Sequence, residues 1–134
     1  LSLRMERHNA NGMAIARWAE KHPAIAKAHY PGLESHPDHQ LARDSLDGFG
    51  GIVGLELKGG ASAASRMLGR LKLVSHAPSL GGVESLVSEP RRTSHRGLTA
   101  EARAALGIPD GFLRVSCGAE DAAEIIADLE QALK

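Results

Sequence analysis

Arg114 has the sequence surroundings of a residue that binds an anion. Residues 112–117 alternate apolar and polar side chains, and this alternation predicts a strand whose core face carries Leu113, Val115 and Cys117. Arg114 then projects from the opposite face, where a planar guanidinium on a rigid strand can bind a carboxylate or phosphate through two parallel hydrogen bonds. An arginine on a solvated sheet face also commonly pairs with an acidic neighbour. The pattern alone favours that plainer interpretation.

The segment Ser79-Leu80-Gly81-Gly82-Val83-Glu84-Ser85-Leu86 combines a tight turn with the start of an extended stretch. Gly81 and Gly82 would let a ligand approach the main chain closely, with Ser79 as a hydrogen-bond donor. Adjacent glycines are also frequent in ordinary turns. From the residue types alone, an ordinary turn is favoured over a ligand-binding loop.

The other potentially reactive side chains are better explained as structural or solvent-exposed residues than as catalytic or ligand-binding ones. His36 and His39 are spaced like metal ligands on a helix, but no third ligand is near, so a loop with exposed imidazoles is favoured. Cys117, the single cysteine, cannot form an internal disulfide, and its place on the core face indicates an inert buried thiol. The basic run at residues 90–96 would suit an anion, but a solvated connection is the simpler interpretation.

Alternating helices and strands position these side chains. Ala10, Met13, Ala14 and Trp18 predict the packed face of a first helix. Strands that alternate with helices predict an α/β domain with a small mixed sheet and helices packed on it. The predicted elements are a helix over 1–22, a strand over 26–30, a helix over 37–46, a strand over 52–57, a helix over 64–71, extended stretches at 72–76 and 84–88, a short helix between Thr99 and Gly107, a strand over 112–117, and a last helix that starts at Asp121 and Glu124 and buries Ala122, Ile125, Ile126, Leu129 and Leu133.

The composition narrows the function classes. The chain has 134 residues, about one domain, with 43% hydrophobic residues and 16 basic residues against 16 acidic ones. This balance and the four aromatic residues argue against a nucleic-acid binder. No stretch approaches the roughly 20 apolar residues of a membrane span, and the charged start lacks a signal peptide. We therefore expect a cytoplasmic protein without nucleic-acid or membrane partners.

The Ser79–Leu86 segment resembles a motif near the C-terminus of the pyridoxal-phosphate enzymes of cysteine and methionine metabolism. This transsulfuration family includes cystathionine γ-synthase, cystathionine γ-lyase, cystathionine β-lyase and methionine γ-lyase. Further motifs agree with the family in the correct order over nearly the whole chain. They are Arg4–Asn11, Tyr30–Leu33 with Ser35–Pro37, Gly48–Gly51, Pro90 with Thr93–His95, Gly107–Ile108, Leu113–Ser116, and Gly118 with Glu120–Asp121.

The resemblance implies a fold and a domain arrangement. The expected class is α/β of the α+β small-domain type: a mixed, largely antiparallel small sheet with helices packed on one side, as in the small domain of fold-type I pyridoxal-phosphate enzymes. Residues 1–134 would form a single C-terminal small domain, with residues 1–22 as the inter-domain connecting helix. The chain starts at Leu1 without an initiator Met, as expected of a piece of a longer protein, and the large cofactor domain would lie outside it.

The cofactor of the intact enzyme would be pyridoxal phosphate, but we expect none bound to these 134 residues. None of the five lysines lies in the Ser/Thr-rich motif of the family's Schiff-base lysine. We therefore expect no catalytic, cofactor-binding or metal-binding residue in this chain, and no activity from it alone. The lysines are Lys21, Lys27, Lys58, Lys72 and Lys134.

The resemblance also implies substrate-binding roles. Arg114 matches the arginine that binds the substrate α-carboxylate, and Ser79 matches the residue whose loop lines the same site. Leu80 is counted with them as a substrate-binding residue; the β-lyases often have an aromatic residue there. Glu84 matches an acid toward the distal end of the substrate. There it would pair with the second amino group of cystathionine, or it would stabilise the fold.

The implied reaction is a γ-replacement or γ-elimination on cystathionine or an O-acylhomoserine, with formation or cleavage of a C–S bond. The wording of residues 81–86 is closest to γ-synthase and γ-lyase sequences, with β-lyase and methionine γ-lyase as alternatives. Expected partners are cystathionine, homoserine esters or cysteine, and further copies of the enzyme in a dimer or tetramer. The alternative is a free-standing amino-acid-binding or oligomerisation module without catalysis.

Overall fold

A five-stranded mixed sheet forms the centre of the computed structural model, which describes all residues from 1 to 134. The strand order is β1-β2-β5-β4-β3, and only the β3–β4 pair is parallel. The strands are β1 (Ile25–His29), β2 (Ile52–Leu57), β3 (Ser75–His76), β4 (Leu86–Ser88) and β5 (Phe112–Ser116); the helices are α1 (Ser2–Lys21), α2 (His39–Ser45), α3 (Gly60–Arg70), α4 (Ala100–Ala105) and α5 (Ala122–Leu133), with a 3₁₀ turn at Pro90–Arg92.

One face of the sheet is buried under α1, α3 and α5. Alternate strand residues point into this core, such as Leu55 in β2 and Leu113 and Val115 in β5, all with no exposed surface. Met67 of α3 and Leu129 of α5 are equally buried against them. The predicted class is therefore confirmed: a largely antiparallel mixed sheet with helices on one side. The opposite face remains free to carry polar side chains of β5.

The buried face of α1 differs from the predicted one. Ala10 is exposed, and Met13 and Trp18 are only half-buried. The reason is that α1 lies against backbone: a Cβ on Gly12 would come 2.5 Å from the carbonyl oxygen of Gly50. Such a contact requires small or hydrogen-bonding residues, which a count of apolar spacings does not score. The buried residues are His8, Asn11, Gly12, Ile15, Ala16 and Ala19.

Several local sequence signals act as predicted. The Thr99 hydroxyl accepts a hydrogen bond from the Ala102 amide and so caps α4, and Gly107 follows that helix with a φ of 77°. The Asp121 carboxylate accepts from the Ala123 amide at the start of α5. These signals depend only on neighbouring residues, which explains their reliability.

Asp128 of α5 forms hydrogen bonds with the segment that connects α3 to β3. The sequence patterns did not predict this role. Its carboxylate, 6% exposed, accepts hydrogen bonds from three consecutive amides, those of Lys72, Leu73 and Val74, at 2.8 to 2.9 Å. Burial by itself raises the pKa of Asp128, but these bonds and one from Gln131 outweigh it and lower the pKa. Ionised Asp128 therefore stabilises the folded state.

Replacing Asp128 with Asn should lower the free energy of unfolding by about 2 kcal/mol at neutral pH, because a charged acceptor of three amides is lost. The folded pKa lies below the unfolded value of about 3.9. The free energy of unfolding contributed by ionised Asp128 is therefore fully present at neutral pH. It shrinks as the pH falls below about 4 and is lost below the folded pKa. Urea denaturation across this range measures it, with the exposed Glu124→Gln of the same helix as control. A difference independent of pH would contradict the assignment.

Candidate functional site

Arg114 lies at the centre of the sheet, on the face that α1, α3 and α5 leave free. Its Cα partners are Gly54 in β2 and Ser88 in β4. A Cβ on Gly54 would lie 2.7 Å from the Phe112 ring and 3.1 Å from the Cβ of His29. The absence of a side chain at Gly54 therefore lets Phe112 and His29 pack beside the arginine. Arg114 thus stands on the central strand of the sheet, paired on both sides.

The Arg114 guanidinium binds main-chain oxygens. Its Nη2 donates to the carbonyls of Pro78 and Ser79, at 2.9 and 3.1 Å, and its Nε is buried without a hydrogen-bond partner. No acidic residue forms an ion pair with Arg114. The surface ion pair favoured by the pattern alone is therefore absent, and the arginine and Ser79 lie together.

The loop at residues 78–85, here called the Ser79 loop, is held along its length by residues 114–120. Arg114 binds its first carbonyls, and the Ser116 hydroxyl accepts from the Gly81 amide at 2.9 Å. The Ala119 amide donates to the Val83 carbonyl at 2.7 Å. Gly81 has a φ of 80°, a conformation that only glycine adopts without strain. The glycines thus belong to a loop whose conformation is fixed by hydrogen bonds to residues 114–120, rather than to an ordinary turn.

The end of the Ser79 loop binds a carboxylate that sequence reasoning missed. Glu120 Oε1 accepts from the Ser85 amide at 2.6 Å, and Oε2 accepts from the Ser85 hydroxyl at 2.8 Å. The Ser85 hydroxyl oxygen in turn accepts from the Gly118 amide at 2.8 Å. Ser85 has no exposed surface, so these bonds satisfy polar groups that water does not reach.

Two buried side chains of α1 bind the chain just after β5. The Asn11 amide donates to the carbonyls of Gly118 and Glu120, at 2.9 and 2.8 Å. His8 Nδ1 donates to the Cys117 carbonyl at 2.6 Å, while its Nε2 is buried without a partner. The spacing of His8 and Asn11, one helical turn apart, was the only sequence signal for this contact.

Leu80 and Glu84 lie on the same loop but not at the guanidinium. Leu80, 54% exposed, lines an apolar cavity of about 240 Å³ with Met5 and Ile52. Glu84 is exposed, and its carboxylate forms no ion pair. The structure thus brings Arg114 and Ser79 together, with Leu80 beside them at a cavity, and leaves Glu84 on the surface.

The remaining candidates take structural places. Burial, with a smaller contribution from the charge of Glu120, raises the pKa of the Cys117 thiol to about 12, as expected of an inert thiol. No three His, Cys, Asp or Glu side chains group as metal ligands. In the basic run, Arg91 and Arg92 both pair with Glu89, which has no exposed surface, while Arg92 and Arg96 are exposed to solvent as predicted.

The lysines test whether this chain alone can hold pyridoxal phosphate. A Schiff base forms on a lysine amine, and a protein makes that amine reactive in an enclosed site. All five lysines of this chain are exposed. The residues present therefore do not fit a cofactor site by themselves.

None of the helices has the length and apolar character needed to cross a membrane.

Comparison with known proteins assigns the chain to a family. A sequence model of the Cys/Met metabolism PLP-dependent enzymes matches residues 1–134. The chain belongs to this family. It is 46% identical over 132 residues to an L-methionine gamma-lyase of Fusobacterium nucleatum subsp. polymorphum, covering 98% of this chain and 33% of that protein. It is 44% identical over 133 residues to a cystathionine beta-lyase of Coxiella burnetii, covering 99% of this chain and 34% of that protein.

A solved structure agrees with the family assignment. The crystal structure of cystathione gamma lyase CalE6 from Micromonospora echinospora matches with a TM-score of 0.92 and 39% sequence identity. The match covers 98% of this chain and 34% of that chain. The chain therefore spans about a third of the length of the family members it matches. Those members carry different activity names, so membership establishes the enzyme family and not one reaction.

Gly118 tests the packing between residues 114–120 and the Ser79 loop. A Cβ there would lie 2.3 Å from the Val83 carbonyl oxygen and 2.3 Å from Glu120 Oε2. Gly118→Ala should therefore lower the free energy of unfolding by about 2–3 kcal/mol, measured by urea denaturation. The matched control is Gly97→Ala, where a Cβ meets no atom within 4 Å and the expected change is below about 0.5 kcal/mol. Equal effects of the two substitutions would refute the close packing at Gly118.

Proposed function

We propose that this chain is the C-terminal small domain of a pyridoxal-phosphate enzyme of transsulfuration, and that Arg114 with the Ser79 loop binds the α-carboxylate of its amino-acid substrate. One observation carries the proposal. The Arg114 guanidinium is held by two main-chain carbonyls with no carboxylate of the protein beside it, and its buried Nε lacks an acceptor. A buried donor without a partner costs free energy, which a ligand carboxylate would recover.

The bond pattern defines how a carboxylate would bind. Both edges of a guanidinium that accept a bidentate carboxylate include Nη2, and Nη2 of Arg114 already donates to Pro78 and Ser79. A carboxylate across Nε and Nη2 would supply the missing acceptor of Nε and take the place of one carbonyl at Nη2. Binding is then an exchange of acceptors, accompanied by a small movement of the start of the Ser79 loop.

Orientation of the substrate is the contribution of this chain to the reaction. The cofactor supplies the electron sink for negative charge at the substrate α-carbon, and its ligands would come from residues outside these 134. By binding the substrate α-carboxylate, Arg114 would set the direction of the bond between the substrate α-carbon and its proton. Holding reacting groups in place is valuable because a misplacement of about 1 Å can cost about 10²-fold in rate.

Membership of the family supports amino-acid substrates for the intact enzyme. We propose γ-replacement or γ-elimination on cystathionine or an O-acylhomoserine, in a cytoplasmic homodimer or homotetramer, with the small domain inactive alone. Two relatives named for other reactions, an L-methionine gamma-lyase and a cystathionine beta-lyase, keep those activities as alternatives. Leu80 would contact the substrate side chain from its apolar cavity, and Glu84 would face its distal end.

An assay of the full-length enzyme that carries this chain distinguishes the reactions. It compares O-acetyl- or O-succinylhomoserine plus cysteine with cystathionine alone and methionine alone. The proposal expects turnover of at least one of them. Turnover of none would contradict the assignment.

Calorimetry of the 134-residue chain with the same amino acids should show no binding, since only one side of the site is present. Micromolar affinity would favour the free-standing binding module.

Arg114→Lys tests the carboxylate site with two matched inhibitors. L-Norleucine and n-pentylamine differ only by the α-carboxylate and carry no group that can leave. Loss of bidentate binding should raise the inhibition constant of norleucine by about 10- to 100-fold. That of pentylamine should change by less than about twofold, because the amine has no carboxylate for Arg114 to bind. Equal weakening of both inhibitors would show that Arg114 does not bind the carboxylate.

A further inference from the structure

We propose that Glu120 is a positioning residue for the carboxylate site, which it serves by holding the far end of the Ser79 loop. The inference rests on the proposed role of Arg114 and extends it to a side chain that does not touch the substrate. Glu120 is the side chain that binds the Ser85 amide and hydroxyl, at 2.6 and 2.8 Å. It therefore fixes where the loop ends.

Substrate binding would change the contacts at one end of the Ser79 loop and leave those at the other end intact. At its start, the Pro78 and Ser79 carbonyls bind Arg114, and a substrate carboxylate would take the place of one of them. At its end, the bonds of Ser85 to Glu120 and Gly118 involve no group that a substrate replaces. When the loop releases Arg114, this second end helps to keep its shape, together with the bonds at Gly81 and Val83.

The main chain of Glu120 is itself held from outside the loop. Asn11 of α1, 2% exposed, binds the carbonyl of Glu120 and that of Gly118 two residues earlier. The neighbouring Ala119 amide binds Val83 inside the loop. Asn11 therefore fixes the main chain of Glu120, while the bonds to Ser85 fix its carboxylate, so a change in this side chain acts on the end of the Ser79 loop.

Ligands with and without a carboxylate distinguish a positioning role of Glu120 from a purely structural one. A residue that only stabilises the fold would affect every ligand of the enzyme when it is replaced. A residue that positions the Ser79 loop for the carboxylate would weaken ligands that carry the carboxylate more than ligands that lack it. The norleucine and pentylamine pair makes this distinction directly, independently of turnover.

The experiment uses the full-length enzyme with its cofactor bound and its activity assayed on whichever substrate it turns over. Glu120→Gln keeps the size of the side chain but replaces one carboxylate oxygen with an NH₂ group, so it cannot accept from both the amide and the hydroxyl of Ser85. Ser85→Ala removes that hydroxyl, and with it the bond to Glu120 and the bond from the Gly118 amide. Each should raise the inhibition constant of norleucine by about tenfold and that of pentylamine by less than about twofold. The double variant should match the stronger single one, because each substitution removes the bond between the Ser85 hydroxyl and Glu120. Glu124→Gln is the matched control, because Glu124 is an exposed acid of α5 only four residues after Glu120, and it should change neither constant.

The outcomes separate the two proposals. Selective loss of norleucine binding in Arg114→Lys, without it in Glu120→Gln or Ser85→Ala, overturns the role of Glu120 and leaves the carboxylate site standing. Equal weakening of both inhibitors in the Glu120 and Ser85 variants also overturns it, as a structural effect. No selectivity in Arg114→Lys overturns the carboxylate site and the positioning role with it. If Glu120→Gln fails to fold, the Ser85→Ala result alone decides, since Glu120 is then intact.

Discussion

The structure depends on one stretch of seven residues, 114–120, which binds the Ser79 loop from its first carbonyl to its last hydroxyl. Its first part is the central strand β5, fixed on both sides by β2 and β4. Its second part leaves the sheet, and its carbonyls accept hydrogen bonds from Asn11 and His8 of α1. A loop bound in this way takes its shape from the sheet and the helix together, which is what a site for a small planar anion requires.

The helix contacts at this stretch are polar, although they are buried. Burial of an amide or imidazole without hydrogen bonds is unfavourable, so Asn11 and His8 are tolerated because carbonyls of residues 117, 118 and 120 accept from them. An apolar helix face would bury as much surface but would not specify one register against the chain after β5. The polar contacts therefore contribute position more than stability, and they connect α1 to the loop that carries Ser79.

Much of the fold was predictable because its signals are local. Alternation in β2 and β5, the caps at Thr99 and Asp121 and the turn at Gly107 each depend on residues within a few positions. The face of α1, the role of Asp128 and the link from Glu120 to Ser85 were not predictable in this way. Each joins residues more than thirty positions apart through backbone groups, and a backbone amide or carbonyl has no sequence signature. Arg114 and Ser79 were placed by their motifs, but not the carbonyls that hold the guanidinium.

The sequence by itself determined the class of the fold, the strand that carries Arg114, the glycines of the Ser79 loop and membership of the Cys/Met metabolism PLP-dependent family. These follow from residue type and spacing, which are properties of the chain before it folds. Only the tertiary structure decided that Arg114 has no acidic partner, that Leu80 lines an apolar cavity while Glu84 stays exposed, and that Glu120 holds the loop. The physical reason is that side-chain partners are chosen by the packing of distant segments, and hydrogen bonds to the backbone form wherever that packing brings a carbonyl or an amide within reach.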